Sequence, residues 1–263
     1  MAGRGDEVEF GRKKKRAEEI DRKWPAVKPK RDLQINRLKG TNLFTIPNFL
    51  TAYEAKAFIE AAESIGFAHQ GSLGPAKGEA YRDNDRTSMT DLLLAESLWE
   101  SGLKKAFVGI KVQGKAAVGL NPNIRLYRYK VGQRFGRHVD ESVDLEHGRQ
   151  TLYTLLIYLN GSLRLKGKNN FGANEDSSIQ PLVGGETVFY DQKQGLVAEV
   201  APVEGMALLH LHGAKCMLHE ARVVAPVEGM ALLHLHGAKC MLHEARVVSE
   251  GVKYVLRTDV AFA

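Results

Sequence analysis

The sequence predicts an α+β chain that is mainly β, a sandwich or barrel of short strands with helices on one side. Two observations carry this. Two stretches of helical periodicity come early, and at least six short β-prone runs follow them, separated by Gly, Asn and Asp turns. A third observation bounds the domain: residues 1–40 hold 13 Lys and Arg against seven acids, which equals the whole formal charge of +6, so the remaining 223 residues are formally neutral. At 263 residues the chain is long enough for one catalytic domain with an appendage.

Residues 1–40 are charge-dense and poor in apolar side chains, with Pro25 and Pro29 interrupting the later part. They read as a disordered basic tail preceding a domain over 41–263. Lys13-Lys14-Lys15-Arg16 fits a nuclear localisation signal, a solvated tail or a phosphate contact; no interleaved aromatics favour nucleic acid. Neither an apolar leader nor a long apolar run is present, and Cys216 and Cys240 are equivalent positions of a repeat rather than a disulfide framework. The expectation is a cytoplasmic or nuclear protein without a membrane segment.

Leu43–Ile46 reads as a strand. Thr51 and Glu54 form a T-x-x-E capping box, and Ala57, Phe58, Ala61 and Ile65 recur at helical spacing up to Gly66. Residues 67–91, polar and Gly-rich, read as a bordering loop. A second helix is predicted from Leu92 to about Val108. Strands follow at Asn123–Tyr129, Thr151–Asn160, Gly184–Tyr190, Val197–Val200 and Val252–Phe262, with 162–183 as an insertion. In the last strand Lys253, Val255 and Arg257 share one face, opposite Tyr254, Leu256, Val260 and Phe262.

His138-x-Asp140 follows the Asn123–Tyr129 strand. A His and a carboxylate two apart on extended backbone can both reach one metal ion, and two histidines with one carboxylate bind one face of Fe(II). The triplet alone is a weak signal. A third ligand belongs in an exact tandem repeat, 201–224 recurring as 225–248, as His219 or His243. Only the second copy runs directly through Ser249-Glu250-Gly251 into the last strand. A hairpin there would place His243 near Lys253 at little closure cost, whereas a looped-out second copy would substitute His219. His210, His212, Cys216 and His219 can also be read as zinc ligands, but they lack the paired-cysteine spacing of zinc fingers.

With these motifs on the page the chain resembles the prolyl 4-hydroxylase-like branch of the Fe(II)/2-oxoglutarate dioxygenases. The resemblance runs from Leu43 to the C-terminus, through Tyr129-x2-Gly132-x2-Phe135-x2-His138-x-Asp140, Gly184-Gly185-Glu186-Thr187-x-Phe189, Leu242-His243-Glu244 and Gly251-x-Lys253-Tyr254-x-Leu256-Arg257. It implies a double-stranded β-helix, or jelly-roll, with supporting helices on one sheet. It also implies iron on His138, Asp140 and the distal histidine. The family places a basic residue ten positions after that histidine, which from His243 is Lys253 and from His219 is Gly229. Lys253 is then the partner of the 2-oxoglutarate C5 carboxylate, Arg257 its alternative, and Tyr129 and Tyr158 are either hydroxyl donors to that carboxylate or core aromatics.

The activity implied is hydroxylation of a C–H bond using O2 and 2-oxoglutarate, with ascorbate keeping the iron reduced and prolyl residues of an intracellular protein as substrate. Two rivals remain: nucleic acid demethylation by a related dioxygenase, and a non-catalytic binding module whose iron site the duplication disrupts.

Overall fold

The computed structural model describes residues 24–71, 80–161, 181–191, 193–212 and 241–263. Among these residues sixteen strands and two principal helices follow one another. β1 (Asn36–Lys39) and β2 (Leu43–Ile46) precede α1 (Ala52–Ile65). β3 (Ala68–Gly71) and β4 (Arg82–Thr90) precede α2 (Leu92–Leu98), which continues through a π-helical turn, Trp99–Leu103, to Ala106. Then come β5 (Lys111–Val112), β6 (Lys115–Leu120), β7 (Asn123–Tyr129), β8 (Arg134–His138), β9 (Gln150–Tyr158), β10 (Val183–Gly184), β11 (Thr187–Tyr190) and β12 (Leu196–Val200). The last are β13 (Ala207–Leu211), β14 (Leu242–Ala245), β15 (Val248–Glu250) and β16 (Lys253–Phe262).

The main sheet runs β1-β2-β13-β9-β16-β7-β4-β8-β14-β11-β12, with every pairing antiparallel. It curls into a nearly closed barrel of the jelly-roll kind. Strands from β2 to β7 have both faces covered, and the side-chain period of two sorts their residues. Leu209, Leu211, Leu155, Ile157, Leu256, Val260, Ile124 and Leu126 pack outward with Phe58 and Leu98 of the helices. Leu208, Tyr158, Val255, Tyr127 and Tyr129 turn inward to meet Phe135 and Phe189 of the opposite wall. The α1 capping box forms as expected: Thr51 Oγ1 accepts from the Glu54 amide, and the Glu54 carboxylate accepts from the Thr51 amide.

Three expectations are corrected. The polar run Arg82–Arg86 is not loop but the start of β4, paired to β3, β7 and β8. Its charges are tolerated because Asp85 accepts from Arg128, Lys130 and His69. The folded region also begins before residue 41. Trp24 and Val27 are buried, Trp24 stacks on Phe58 at 5.9 Å, and Lys30 pairs with Glu54, so the aromatic side chain offsets the local charge density. Residues 1–23 lie outside the described residues. Finally, β14 and β16 do not form a hairpin. β14 pairs with β8 and β11, and β16 with β7, β9 and β6, while the intervening β15 pairs with β10. Jelly-roll connections cross from one wall to the other, so neighbours in sequence face each other across the interior.

The repeat is divided in the same way. The first copy supplies β13 and the second supplies β14. His219 and both cysteines lie outside the described residues, as does most of the 162–183 insertion. Among the described residues no helix is long and apolar enough to cross a membrane.

Candidate metal centre

His138 and His243 are direct cross-strand partners on β8 and β14, with ring centroids 4.1 Å apart. A residue pair 105 positions apart in sequence is thus brought together by one antiparallel register. The pairing carries a bulge, since His243 aligns with His138 while Ala245 aligns with Phe135. Two residues on one strand therefore face one on the other, and the phase of β8 shifts locally. Phe135 and His138 consequently both point inward and stack at 3.7 Å. Gly136 sits in this bulge and donates its N–H to Tyr81 O at 2.7 Å.

Asp140 lies just beyond β8. One ligand atom each from His138, Asp140 and His243 fall within 4.8 Å of one another. Each imidazole is oriented by its own backbone: His138 Nδ1 lies 2.9 Å from Gly136 O, and His243 Nδ1 lies 2.9 Å from Met241 O. A carbonyl accepts, so Nδ1 carries the proton and Nε2 presents its lone pair to the site. Burial pushes His138 down to about 4, against the pull of Asp140, and burial also holds His243 well below the usual histidine range. Burial is the largest single influence and opposes charge on Asp140, but Arg257 together with His210, His243 and His138 outweighs it and keeps that carboxyl well below the usual range. Two neutral imidazoles and one carboxylate are the protonation states that a divalent transition metal requires.

The opposite wall holds Asp140 in place. Thr154 Oγ1 of β9 donates to Asp140 Oδ2 at 2.7 Å, and Arg257 Nη2 of β16 donates to Oδ1 at 2.7 Å. Thr154 spends its single proton on Asp140, and His212 Nε2 lies 2.8 Å from the same hydroxyl oxygen. Sequence reasoning missed Thr154 and His212 as supports. The signal for them was two polar side chains on the inner phase of otherwise apolar strands. His210 is fully buried, 4.4 Å from the His243 ring centroid and with Nε2 3.4 Å from Asp140 Oδ2.

Lys253, Val255 and Arg257 share the inward face of β16, as predicted. Arg257, expected as the alternative to Lys253, is instead on Asp140. Lys253 is 2% exposed, and its Nζ donates to Gly185 O at 2.5 Å, with the Tyr129 and Tyr158 ring centroids each 5.4 Å away. Gly185 is required there: it has φ +72°, and a Cβ would meet Lys253 Cδ at 2.9 Å. Among the described residues no carboxylate lies within ion-pair distance of Lys253. Burial pushes its pKa down to about 7, only partly opposed by Glu186. Tyr158 Oη is 2.7 Å from Thr187 Oγ1, and Tyr129 is the register partner of Lys253.

A pocket of about 40 Å³ connects these groups, lined by Tyr127, Tyr129, Thr187, Lys253 and Arg257 as well as the metal-ligand set. That is room for a few waters. Beside it opens a wider cleft of about 560 Å³, lined by His69, Gln70, Gly71, Ala80, Arg82, Phe135, His138, Val139 and Asp140.

Neither a protein-family model nor a curated relative matches this sequence. Solved structures do. A viral collagen prolyl hydroxylase from Paramecium bursaria Chlorella virus-1, in its 2OG complex, is 18% identical over 85% of this chain and 97% of its own, with a TM-score of 0.48. A prolyl-4-hydroxylase from Pseudomonas putida is 14% identical over 83% and 91%, with a TM-score of 0.44. A Trichoplax adhaerens prolyl hydroxylase, in complex with a hypoxia inducible factor peptide fragment, is 14% identical over 85% and 84%, with a TM-score of 0.48. At these values the reading of fold and site rests on the strand pairing and side chains described above.

Proposed function

We propose that this chain is an Fe(II)- and 2-oxoglutarate-dependent dioxygenase that hydroxylates prolyl residues of an intracellular protein in the cytoplasm or nucleus, with ascorbate as reductant. The observation that carries the reading is the convergence of two neutral imidazole Nε2 atoms and one ionised carboxylate, with a buried lysine in the same pocket that has no acidic partner among the described residues. His138, Asp140 and His243 would hold Fe(II), leaving other positions open. The bound metal and co-substrate together supply oxidation: O2, 2-oxoglutarate and a C–H bond become succinate, CO2 and a C–OH.

The protein contributes the rest. Lys253, desolvated between Tyr129 and Tyr158, offers in its protonated form a charge-assisted hydrogen bond to the distal carboxylate of a diacid in a medium where few waters compete. Thr154 and Arg257 fix the Asp140 carboxylate, and the apolar walls of Phe135, Phe189, Leu156 and Val255 keep solvent from the oxidising centre. Against the rival reading of a binding module with a disrupted iron site stands the convergence of His138, Asp140 and His243 in a chain that carries the whole repeat. Nucleic acid demethylation finds no support in the described residues.

The test is to incubate the full chain with Fe(II), 2-oxoglutarate and ascorbate under O2, with and without proline-containing peptides. Succinate release and a mass gain of one oxygen on peptide are expected. No succinate under any condition would sink the dioxygenase reading, and succinate without peptide oxidation would remove prolyl residues as the substrate.

A further inference from the structure

A guanidinium on a metal carboxylate competes with the metal. Arg257 keeps its charge at any pH the fold survives, and its Nη2 lies 2.7 Å from Asp140 Oδ1, an atom of the metal-ligand set. With the Arg257 side chain only 12% exposed, little water screens that charge. By itself it would repel a divalent cation sharing the same carboxylate.

The continuation of β16 brings a second buried acid to this group. Asp259 follows Arg257 at the strand period of two, so it extends the inward face of Lys253, Val255 and Arg257. It is 2% exposed. Its Oδ1 lies 3.8 Å from the same Arg257 Nη2, and its Oδ2 accepts from Arg125 Nη2 of β7 at 3.2 Å. Burial opposes charge on Asp259, but His212, Arg257 and Arg125 outweigh it and hold its carboxyl below the usual range. Asp140 and Asp259 thus balance Arg257 and Arg125 in one network. Asp259 also reaches the other arm that holds Asp140: it is the register partner of Thr154 on β9, and His212 Nε2 lies 3.7 Å from its Oδ1. Among the described residues Asp259 Oδ1 and Arg257 Nε have no hydrogen-bond partner. A buried carboxylate oxygen without a bond costs free energy, so packing alone does not account for it.

We propose that Asp259 is a positioning residue for the metal centre: it neutralises Arg257, so that the guanidinium can hold the Asp140 carboxylate without repelling the divalent cation that shares it. One nitrogen of Arg257 faces both carboxylates, so the charge at Asp259 is felt at Asp140 through a single group. An ion pair needed only for the fold would be complete with Arg125, which engages Oδ2 and leaves Oδ1 to Arg257 and His212. The inference rests on the metal-binding part of the dioxygenase reading and on nothing about the substrate.

The test is a calorimetric titration of the full chain with Mn(II), a divalent stand-in for Fe(II) that air does not oxidise. It omits 2-oxoglutarate, so that no other anion enters the balance and turnover plays no part. Asp259→Asn leaves one buried positive charge uncompensated and should raise the Mn(II) Kd by about tenfold or more. Adding Arg257→Gln to Asp259→Asn removes that surplus charge and should recover most of the loss, although it deletes a second polar group. A role confined to packing predicts the reverse, since two structural losses accumulate rather than cancel. Should Asp259→Asn alone fail to fold by circular dichroism, the double variant decides: folded and binding Mn(II), it supports the proposal, and unfolded it overturns it. An Asp259→Asn Kd within about twofold of wild type, or a double variant no tighter than Asp259→Asn, also overturns it. Wild-type protein that binds no Mn(II) would strike the metal centre and this inference together. Wild-type binding that Asp259→Asn leaves unchanged would strike the inference alone.

Discussion

The two copies of the 24-residue repeat are identical, yet the fold takes different things from them. From the first copy it takes β13, which sits between β2 and β9 in the helix-backed wall and turns His210 and His212 inward. From the second it takes β14, between β8 and β11 in the opposite wall, with His243 on the metal side. The same letters thus have different fates, decided by what adjoins them. The first copy is entered from β12 through the turn at Gly205, whose N–H and carbonyl bond Tyr158 and Leu50. The second copy leads without a break into β15 and β16. Anchors at the outer ends of the pair select the outer strands, and residues 213–240 join them.

The sharpest way to break this comparison is to mutate the matched histidines. His243→Ala removes one of three ligands and should weaken Fe(II) binding by more than ~100-fold, since even supporting residues around a metal are worth 10–100-fold. His219→Ala, the same change in the same local sequence, should leave the affinity near wild type; equal losses in a metal titration would show that the copies exchange roles. Next in size is the packing of β13. Leu209 is fully buried, so Leu209→Ala should cost about 2–5 kcal/mol in denaturant unfolding. Leu233→Ala is its control, and a matching loss there would mean the second copy can form the strand instead.

Smaller effects probe the pocket between the two walls. Burial pushes Lys253 down to about 7 in the free protein, and it must be protonated to hold a carboxylate. Affinity for 2-oxoglutarate should therefore be flat below pH 7 and fall by up to about tenfold per unit above it, in calorimetric titrations with metal present. Lys253→Met should abolish that slope. Thr154→Val takes one donor from Asp140 and should lower metal affinity by about tenfold, without loss of the fold by circular dichroism. The smallest expected change comes from the largest edit. Deleting residues 213–236 leaves one intact copy and a four-residue link between His212 and Met241, so metal affinity should be kept. Stability should rise modestly, closure entropy falling by about 0.6 kcal/mol per halving of a loop.

Much of the site was legible because its chemistry is written in short patterns. His138-x-Asp140 and the inward phase of Lys253, Val255 and Arg257 follow from the two-residue period of a strand, and the Thr51–Glu54 box follows from helix-end hydrogen bonding. Other parts were not legible, since they depend on pairings between distant segments. Arg82–Arg86 looks like loop because single-sequence reasoning cannot see that Arg128 and Lys130 neutralise Asp85. Arg257 looked like a co-substrate ligand because only the folded barrel brings it to Asp140. Thr154 lay unmarked in an apolar strand, and His212 read only as a candidate zinc ligand, not as a support for Asp140.

By itself, then, the sequence determined the residue types, the strand phases and a short set of metal ligands, because those are properties of local periodicity and side-chain chemistry. The tertiary structure decided which strands face each other. It set His138 opposite His243, shifted the phase of β8 by a bulge, and divided a perfect repeat between two walls. Two identical segments have identical local preferences, so only long-range pairing and the anchoring of their ends could tell them apart.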